Sequence, residues 1–268
     1  MKTIAITGAT GYFGKYLLQK LLSLKKYNLY VLADDITGEI NLPSVDVIIH
    51  LAAKKPSNIV SIDDLYQTNY EGTKNLARAC TSDTHFIFLS SDYVFKSDSE
   101  KLYTEHDVKS PETDYGESKS KSEDFLLQNV DKVTILRTSM LYGYINWQRK
   151  NFIQFLIENI SNNKKIDIYN DIFCRPTHVE DLSEFIVATI EEGLYGVIHA
   201  CSDIYIDRYE LASLFCDING LNKECLISCQ SPETSYWPKH LNLQPSEVFL
   251  KNIEISLKNG LILQQQGQ

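Results

Sequence analysis

The stretch Thr3-Ile4-Ala5-Ile6-Thr7-Gly8-Ala9-Thr10-Gly11-Tyr12-Phe13-Gly14 decides how the rest of the chain is read. Residues 3–7 form a short apolar run that reads as a buried strand, and residues 11–25 carry Phe13, Leu17, Leu18, Leu21 and Leu22 at helical spacing. Between them the glycines fall in a GxxGxxG spacing. Gly8 permits a tight turn, Gly11 lets the backbone approach a pyrophosphate, and Gly14 lets the helix pack closely on the sheet. A helix that starts here offers free N–H groups and a positive dipole end to phosphates. A chance glycine turn is the alternative, and the position between a strand and a helix argues for a dinucleotide instead.

Outward from this turn, short apolar runs alternate with amphipathic stretches. Strands are predicted at 29–33, 45–51, 86–90 and 133–137, and helices at 64–80 and 118–129. This alternation predicts an α/β fold: a Rossmann-type doubly wound parallel sheet with helices on both faces and a smaller C-terminal substrate-binding lobe. Residues 34–44 hold Gly38 and Pro43 and leave little room for a crossover helix, so that edge of the sheet is expected to be trimmed. After Gly143 the pattern loosens. A helix at 151–160, a returning helix at 179–191 and a last strand at 196–200 are expected. The expected division is 1–143 plus about 178–201 for the dinucleotide-binding domain, and about 144–177 plus 202–268 for the smaller lobe. That lobe would lie over the C-terminal strand ends, where open α/β sheets bind ligands.

Composition narrows the partners. The 268 residues carry a net charge of -9, and such an acidic chain repels phosphate backbones at long range, so no nucleic-acid partner is expected. No apolar run approaches the ~20 residues needed to span a bilayer, so no membrane partner is expected. Met1 and Lys2 lead straight into the first strand, without a signal-peptide layout. The six cysteines are scattered, and no Cys or His pair completes a zinc pattern with Cys225 and Cys229. Reduced thiols, no metal site and a cytoplasmic location are the expectation.

Asp34 lies twenty residues after Gly14, at the end of the second strand, with Asp35 beside it. An acidic residue there meets the adenosine ribose, and no Arg or Lys adjoins it to receive a 2′-phosphate. NAD(H) is therefore favoured over NADP(H), a solvated strand end being the alternative. Further on, Tyr115-Gly116-Glu117-Ser118-Lys119 is a YxxxK motif. Its spacing puts both ends on one helix face. A cation near a phenol lowers its pKa and helps it exchange a proton. Ser90 and Ser91 end a strand that points at the expected crevice, where a hydroxyl can hold a carbonyl oxygen.

Together with His50-Leu51-Ala52-Ala53 and Asn69-Tyr70-Glu71-Gly72-Thr73-Lys74-Asn75-Leu76, these features resemble the extended short-chain dehydrogenase/reductases. Within them, the dTDP-4-dehydrorhamnose reductase group is the nearest in look. Ser90-Ser91-Asp92-Tyr93-Val94-Phe95, Arg137-Thr138-Ser139-Met140-Leu141-Tyr142-Gly143, Asn151-Phe152, and Arg175-Pro176-Thr177 leading to Asp181-Leu182 carry that resemblance in order.

The resemblance implies that Ser91 orients a substrate carbonyl, Tyr115 is the acid–base residue, Lys119 binds the nicotinamide ribose and tunes Tyr115, and Asn69 supports a proton relay. It implies cofactor contacts from Gly8, Thr10, Gly11, Tyr12, Phe13 and Gly14, from Asp34 and Asp35, and from Leu51, Ala52 and Ala53, beside Tyr115 and Lys119. Substrate contacts would come from Lys54, Ser91, Asp92, Val94 and Tyr115, then from Thr138, Ser139, Asn151, Arg175 and Trp237. Departures from the family pattern matter. Trp237-Pro238 stands where an Arg precedes a Pro, which weakens a phosphate contact or replaces it with stacking. Lys54 and Lys55 follow the Ala pair in place of uncharged or aromatic residues, as substrate ligands or as loop charges. Arg149, Lys150, Arg175 and Lys239 are candidates for a substrate pyrophosphate or ordinary surface cations.

The activity implied is NAD(P)H-dependent reduction of a nucleotide-activated 4-keto-6-deoxy sugar in deoxysugar or surface-polysaccharide synthesis. A sugar-nucleotide epimerase with tightly bound NAD and a non-catalytic NAD(P)-binding regulatory subunit are the alternatives. Dehydration is disfavoured because Asp92 is followed by Tyr93 rather than a Glu. A homodimer built on the helices at 64–80 and 118–129 is implied by analogy.

Overall fold

The structure is a computed structural model; it describes residues 1–32, 35–55, 61–143, 151–233, 237–251 and 257–262. The chain opens with β1 (Lys2–Thr7), α1 (Tyr12–Leu24), β2 (Tyr27–Leu32) and β3 (Val47–His50). It continues through α2 (Ile62–Tyr66), a π-helical turn at Gln67–Glu71, α3 (Gly72–Arg78), β4 (His85–Ser91), α4 (Asp114–Asn129) and β5 (Val133–Thr138). Next come β6 (Leu141–Tyr142), α5 (Phe152–Ser161), β7 (Ile166–Tyr169), β8 (Phe173–Cys174), β9 (Thr177–His178) and α6 (Val179–Glu192). The described chain ends with β10 (Gly196–His199), β11 (Ile206–Asp207), α7 (Arg208–Asn219), β12 (Leu226–Cys229), α8 (Glu247–Lys251) and α9 (Leu257–Gly260).

Six strands form one parallel sheet in the order β10-β5-β4-β3-β1-β2. The chain order reverses at β1, where β2 lies on one side and β3 on the other. Loops leaving β1 and β3 therefore part toward opposite faces and open a crevice at the C-terminal strand ends. The glycine turn sits there. Gly8 takes φ +67°, and a Cβ on it would lie 2.6 Å from the Ala52 nitrogen. Gly11 N–H donates to the Gly8 carbonyl at 2.9 Å and closes the turn.

Helices cover both faces, as the alternating pattern requires. On one side Phe13, Leu17 and Leu21 of α1 and Leu182, Phe185 and Ile186 of α6 bury against Ile4, Ile6 and Ile49. On the other, Leu76 of α3 and Leu126 of α4 bury against Ala5, Ile48, Phe86 and Phe88. The expected trimming of the edge is seen: residues 35–46 form no helix or strand, and Ile36 and Val45 tuck into the second cluster. A separate apolar cluster joins α5, β7, α7 and β12 through Leu156, Ile168, Phe215 and Leu226. The chain then returns to the main sheet, since Phe249 of α8 packs edge-on against Phe185, 5.1 Å between ring centroids.

Two helices differ from the sequence expectation. The single helix at 64–80 is interrupted by the π turn, which one period of 3.6 residues does not reveal. The helix expected from 118 begins at Asp114, because the Thr113 hydroxyl caps it by accepting from Gly116 N–H at 3.0 Å. That earlier start puts Tyr115 in the first turn. Among the described residues no helix is long and apolar enough to cross a membrane, and no group of His, Cys, Asp and Glu is set to hold a metal ion. All six cysteines are free thiols.

Candidate active site

A cleft of about 460 Å³ runs along the turn. Thr7, Gly8, Ala9 and Thr10 form one wall, Val31, Leu32 and Asp35 another, and Ala52, Lys54 and Thr68 the third. Its small side chains and backbone N–H groups at the start of α1 fit a dinucleotide, whose pyrophosphate needs close backbone approach. Asp34 lies outside the described residues. Asp35 does line the cleft, and the Thr37 N–H and hydroxyl hold its carboxyl below the usual range, with Lys54 assisting. Phe13 is buried in the core, so any ligand contact it makes is through its backbone. Tyr12 hydroxyl donates to the Gly143 carbonyl at 2.8 Å, tying the turn to the segment after β6.

The loop that follows β3 is locked from behind. His50 Nδ1 lies 2.7 Å from the Thr7 hydroxyl and its Nε2 lies 2.9 Å from the Thr73 hydroxyl. Burial drives this imidazole down to about 3, with Lys119 adding to the effect, so it is neutral. Thr7 Oγ1 also accepts from the Leu51 and Ala52 N–H groups, each at 3.2 Å. Asn69, buried on the π turn, grips the next residue on both sides. Its Oδ1 accepts from Lys54 N–H at 2.7 Å and its Nδ2 donates to Lys54 O at 2.9 Å and to Ser118 Oγ at 3.0 Å. The widened turn is what aims this amide at α4.

Adjacent serines at the end of β4 face opposite ways, as strand geometry demands. Ser90 hydroxyl donates inward to Glu123 at 2.5 Å. Glu123 is fully buried and pairs with Arg137, whose Nη2 donates at 2.8 Å. Ser91 hydroxyl donates to Asp92 Oδ1 at 2.9 Å, and Ser139 hydroxyl donates to Asp92 Oδ2 at 2.6 Å. Burial pushes the Asp92 carboxyl up to about 6, while these two hydroxyls pull it down.

Tyr115 hydroxyl stands within hydrogen-bond reach of Ser91, and its ring meets Tyr93 edge-on at 5.7 Å. Gly116 makes this possible: a Cβ there would lie 2.0 Å from the Tyr93 carbonyl oxygen, so any other residue would lift the start of α4 off the serine loop. The expectation that Lys119 lowers the Tyr115 phenol is corrected. Burial and the Asp92 charge raise it, and Ser91 opposes them. Lys119 instead donates to the Leu89 carbonyl at 2.8 Å and sits 4.4 Å above the Phe88 ring. Burial lowers its ammonium to about 7, Glu123 pulling upward and Lys55 downward. Tyr115 reaches Ser91 at the end of β4 and Lys119 reaches the Leu89 carbonyl of the same strand; a phenol, a second hydroxyl and a cation are the groups that protonation of a carbonyl oxygen uses.

The other expected substrate residues divide. Val94 is fully buried in a cluster with Phe95, Tyr103 and Leu243, and Thr138 hydroxyl donates to the Ser90 carbonyl at 3.3 Å. Both support the strand end from behind. Asn151 caps α5 and donates to the Gly143 carbonyl at 2.9 Å. Arg175 is engaged within the protein: its Nε donates to Asn242 at 2.7 Å and its Nη1 to the Asp203 carbonyl at 2.6 Å. Lys239 pairs with Asp171 at 2.6 Å, and Lys54 lies 3.9 Å from Asp64. Trp237 lies beneath the Arg208 guanidinium, 4.5 Å from ring centroid to cation. Arg149 and Lys150 lie outside the described residues. Lys55 is exposed, yet the protein around its ammonium lowers its pKa, and the Asp92 charge opposes that.

Sequence reasoning missed Gly116, the Thr7–His50–Thr73 lock, the Glu123–Arg137 pair and Arg208. Only the first two had a visible signal, in YxxxK and in the His50-Leu51-Ala52-Ala53 run.

The sheet order, the glycine turn and the Ser–Tyr–Lys set define a dinucleotide-binding α/β protein of the short-chain dehydrogenase/reductase kind. The family model described as RmlD substrate binding domain matches residues 1–263. The chain is similar to a dTDP-4-keto-6-deoxy-D-glucose reductase of Streptomyces niveus, 29% identical over 78% of this chain and 76% of that one. It also resembles the methionine adenosyltransferase 2 subunit beta of Rattus norvegicus, 28% identical over 65% of this chain and 55% of that one. Its structure superposes on dTDP-4-dehydrorhamnose reductase from Bacillus anthracis in complex with NADP, with TM-score 0.84, 28% identity and 97% coverage of both chains. The chain belongs to the RmlD substrate binding domain family, among the extended short-chain dehydrogenase/reductases related to dTDP-4-dehydrorhamnose reductase.

Proposed function

We propose that this chain is an NAD(P)H-dependent reductase of a nucleotide-activated 4-keto-6-deoxy sugar, acting in deoxysugar synthesis. What supports the reading is the Tyr115–Ser91 contact, with Lys119 held at the Leu89 carbonyl of the same strand end, in a chain matched by the family over residues 1–263. When bound, the reduced nicotinamide supplies the hydride. Tyr115 donates its phenolic proton to the carbonyl oxygen, and burial favours the protonated phenol that this step requires. Ser91 orients that oxygen and meets the charge developing on it. Lys119 holds the nicotinamide ribose. Asn69 positions Lys54 and Ser118, and so supports the proton relay behind Tyr115.

The preference we propose is NAD(H) over NADP(H). A carboxylate accepts ribose hydroxyls and repels a 2′-phosphate, and Asp35 lines the cleft. Lys54, in the same cleft, acts in the opposite sense. The division into a dinucleotide-binding domain and a smaller substrate lobe is retained, as is a homodimer through the helices at 64–80 and 118–129. Free thiols at all six cysteines agree with a cytoplasmic location.

Purified protein mixed with NADH or NADPH and a panel of nucleotide-linked 4-keto-6-deoxysugars tests the reading by nicotinamide absorbance. Stoichiometric oxidation with one sugar, abolished by Tyr115→Phe, is the expected result. Isomerised sugar without net oxidation would instead identify an epimerase. The likeness to methionine adenosyltransferase 2 subunit beta favours a second reading, a subunit without turnover of its own. Cofactor binding with neither oxidation nor isomerisation across the panel would support it.

A further inference from the structure

Arg208 is a cation of the smaller lobe with a buried donor uncommitted among the described residues. It opens α7, and its N–H is spent on the Ile172 carbonyl at 3.2 Å. Its guanidinium stands over the Trp237 ring, 4.5 Å from the ring centroid. Its Nε is buried and has no hydrogen-bond partner among the described residues. Arg175 and Lys239, the other two candidates described in this lobe, are both held by protein acceptors.

Two links connect this pair to the reaction site. The Lys239 and His240 N–H groups donate to Ser97 Oγ at 3.1 and 3.0 Å, which pins the segment after Trp237 to the loop that leaves Ser91. The buried Cys174 thiol stands within electrostatic reach of both Arg208 and Asp92. An arginine stacked on an indole keeps its fork in one plane, sheds water from one face and leaves its edge for a bidentate acceptor. Phosphate oxygens fit that edge better than a single carbonyl.

We propose that Arg208, held over the Trp237 ring, binds the diphosphate of a nucleoside-diphosphate sugar, with Trp237 as its positioning residue. This rests on the reading of the site as a sugar-nucleotide reductase, and it adds to the expected candidates Arg149, Lys150, Arg175 and Lys239 a residue that carries no sequence signal. The glycine turn meets a different diphosphate, that of the dinucleotide, so the two are separable.

Calorimetric binding of dTDP, UDP, thymidine and NADPH to the wild type and to Arg208→Gln, Arg208→Lys and Trp237→Ala tests this. Arg208→Gln is expected to weaken dTDP and UDP about 10- to 100-fold, as loss of a charge-assisted bidentate contact does. Thymidine, which lacks phosphate, and NADPH should bind as before. Arg208→Lys keeps the charge without the fork and should fall between the two, and Trp237→Ala should lose about 5-fold on the diphosphates alone. Equal loss of NADPH and dTDP binding in folded Arg208→Gln, Arg208→Lys and Trp237→Ala would overturn the proposal. Wild-type diphosphate affinity in folded Arg208 variants overturns the proposal, as does failure of the wild type to bind dTDP or UDP at 5 mM. Arg208-dependent diphosphate binding without sugar reduction would leave the proposal standing and remove the reductase reading. Sugar reduction that is indifferent to Arg208 would do the reverse.

Discussion

The Ser91 hydroxyl donates to the Asp92 carboxylate at 2.9 Å, so the residue expected to orient a substrate carbonyl is itself oriented by its neighbour. Ser139 completes the arrangement from the far side of the same carboxylate. Asp92 titrates at about 6 because it is buried. Above that pH the ionised carboxylate holds Ser91; below it one acceptor is lost. We expect kcat to fall as pH drops through about 6, and Asp92→Asn to flatten that acid limb while lowering kcat about 10-fold. A pH–rate profile of both proteins checks this; an unchanged limb in the variant would assign it to another group.

Tyr115→Phe removes the proton donor and nothing else of comparable size. The expected loss is about 10²- to 10⁴-fold in kcat with NADPH affinity unchanged. Steady-state rates beside fluorescence titration of the cofactor separate the two quantities.

Lys119 is held below its ordinary pKa of 10.5, at about 7, chiefly by burial. Between about pH 7 and 10.5 the unfolded chain therefore carries a proton that the folded chain has shed. Stability from this residue rises with pH across that window and is lowest below it. Lys119→Met is expected to raise stability by about 1–2 kcal/mol at neutral pH, to flatten the pH dependence and to abolish turnover. Urea titrations at pH 6 and 9 are the check, and equal gains at both would contradict the assignment.

Gly116 lies under the Tyr93 carbonyl with no room for a methyl group, since a Cβ would sit 2.0 Å from that oxygen. Gly116→Ala should cost about 2–3 kcal/mol of stability and lower kcat by displacing Tyr115, with the glycine turn untouched. Preserved NADPH binding together with reduced turnover is the outcome that distinguishes this from general unfolding.

Glu123 and Arg137 form a fully enclosed ion pair behind Ser90, at 2.8 Å. Arg137→Met leaves the buried Glu123 carboxylate to Lys109, 3.3 Å away, and to Ser90; it should destabilise the protein by about 2–3 kcal/mol, measured as a shift in urea midpoint. Glu123→Leu combined with Arg137→Met should recover much of that loss, because neither charge is then left unpaired.

The sheet and its cofactor cleft were legible in the sequence for local reasons. The run from Thr3 to Gly14 encodes strand, turn and helix within one short segment, and the strand at 196–200 could be assigned from its apolar pattern. The proposed catalytic residues were legible because YxxxK is a helical spacing and Ser91 ends an apolar strand. Thr138, Val94 and Asn151 were named from motif position, yet their side chains serve a strand end, a core cluster and a helix cap. Motif position tells where a residue lies along the chain, not which way its side chain turns.

By itself, the sequence determined the alternation of strands and helices, the glycine turn and the order of the chemical groups along the chain, because period and turn chemistry are local properties. Only the tertiary structure decided that Asn69 faces α4 from a π turn, that Ser90 and Ser91 part toward Glu123 and Asp92, and that Arg208 meets Trp237. Those relations join residues far apart in the chain, or turn neighbours in opposite directions. They are set by packing and by the burial of charge, which no local pattern records.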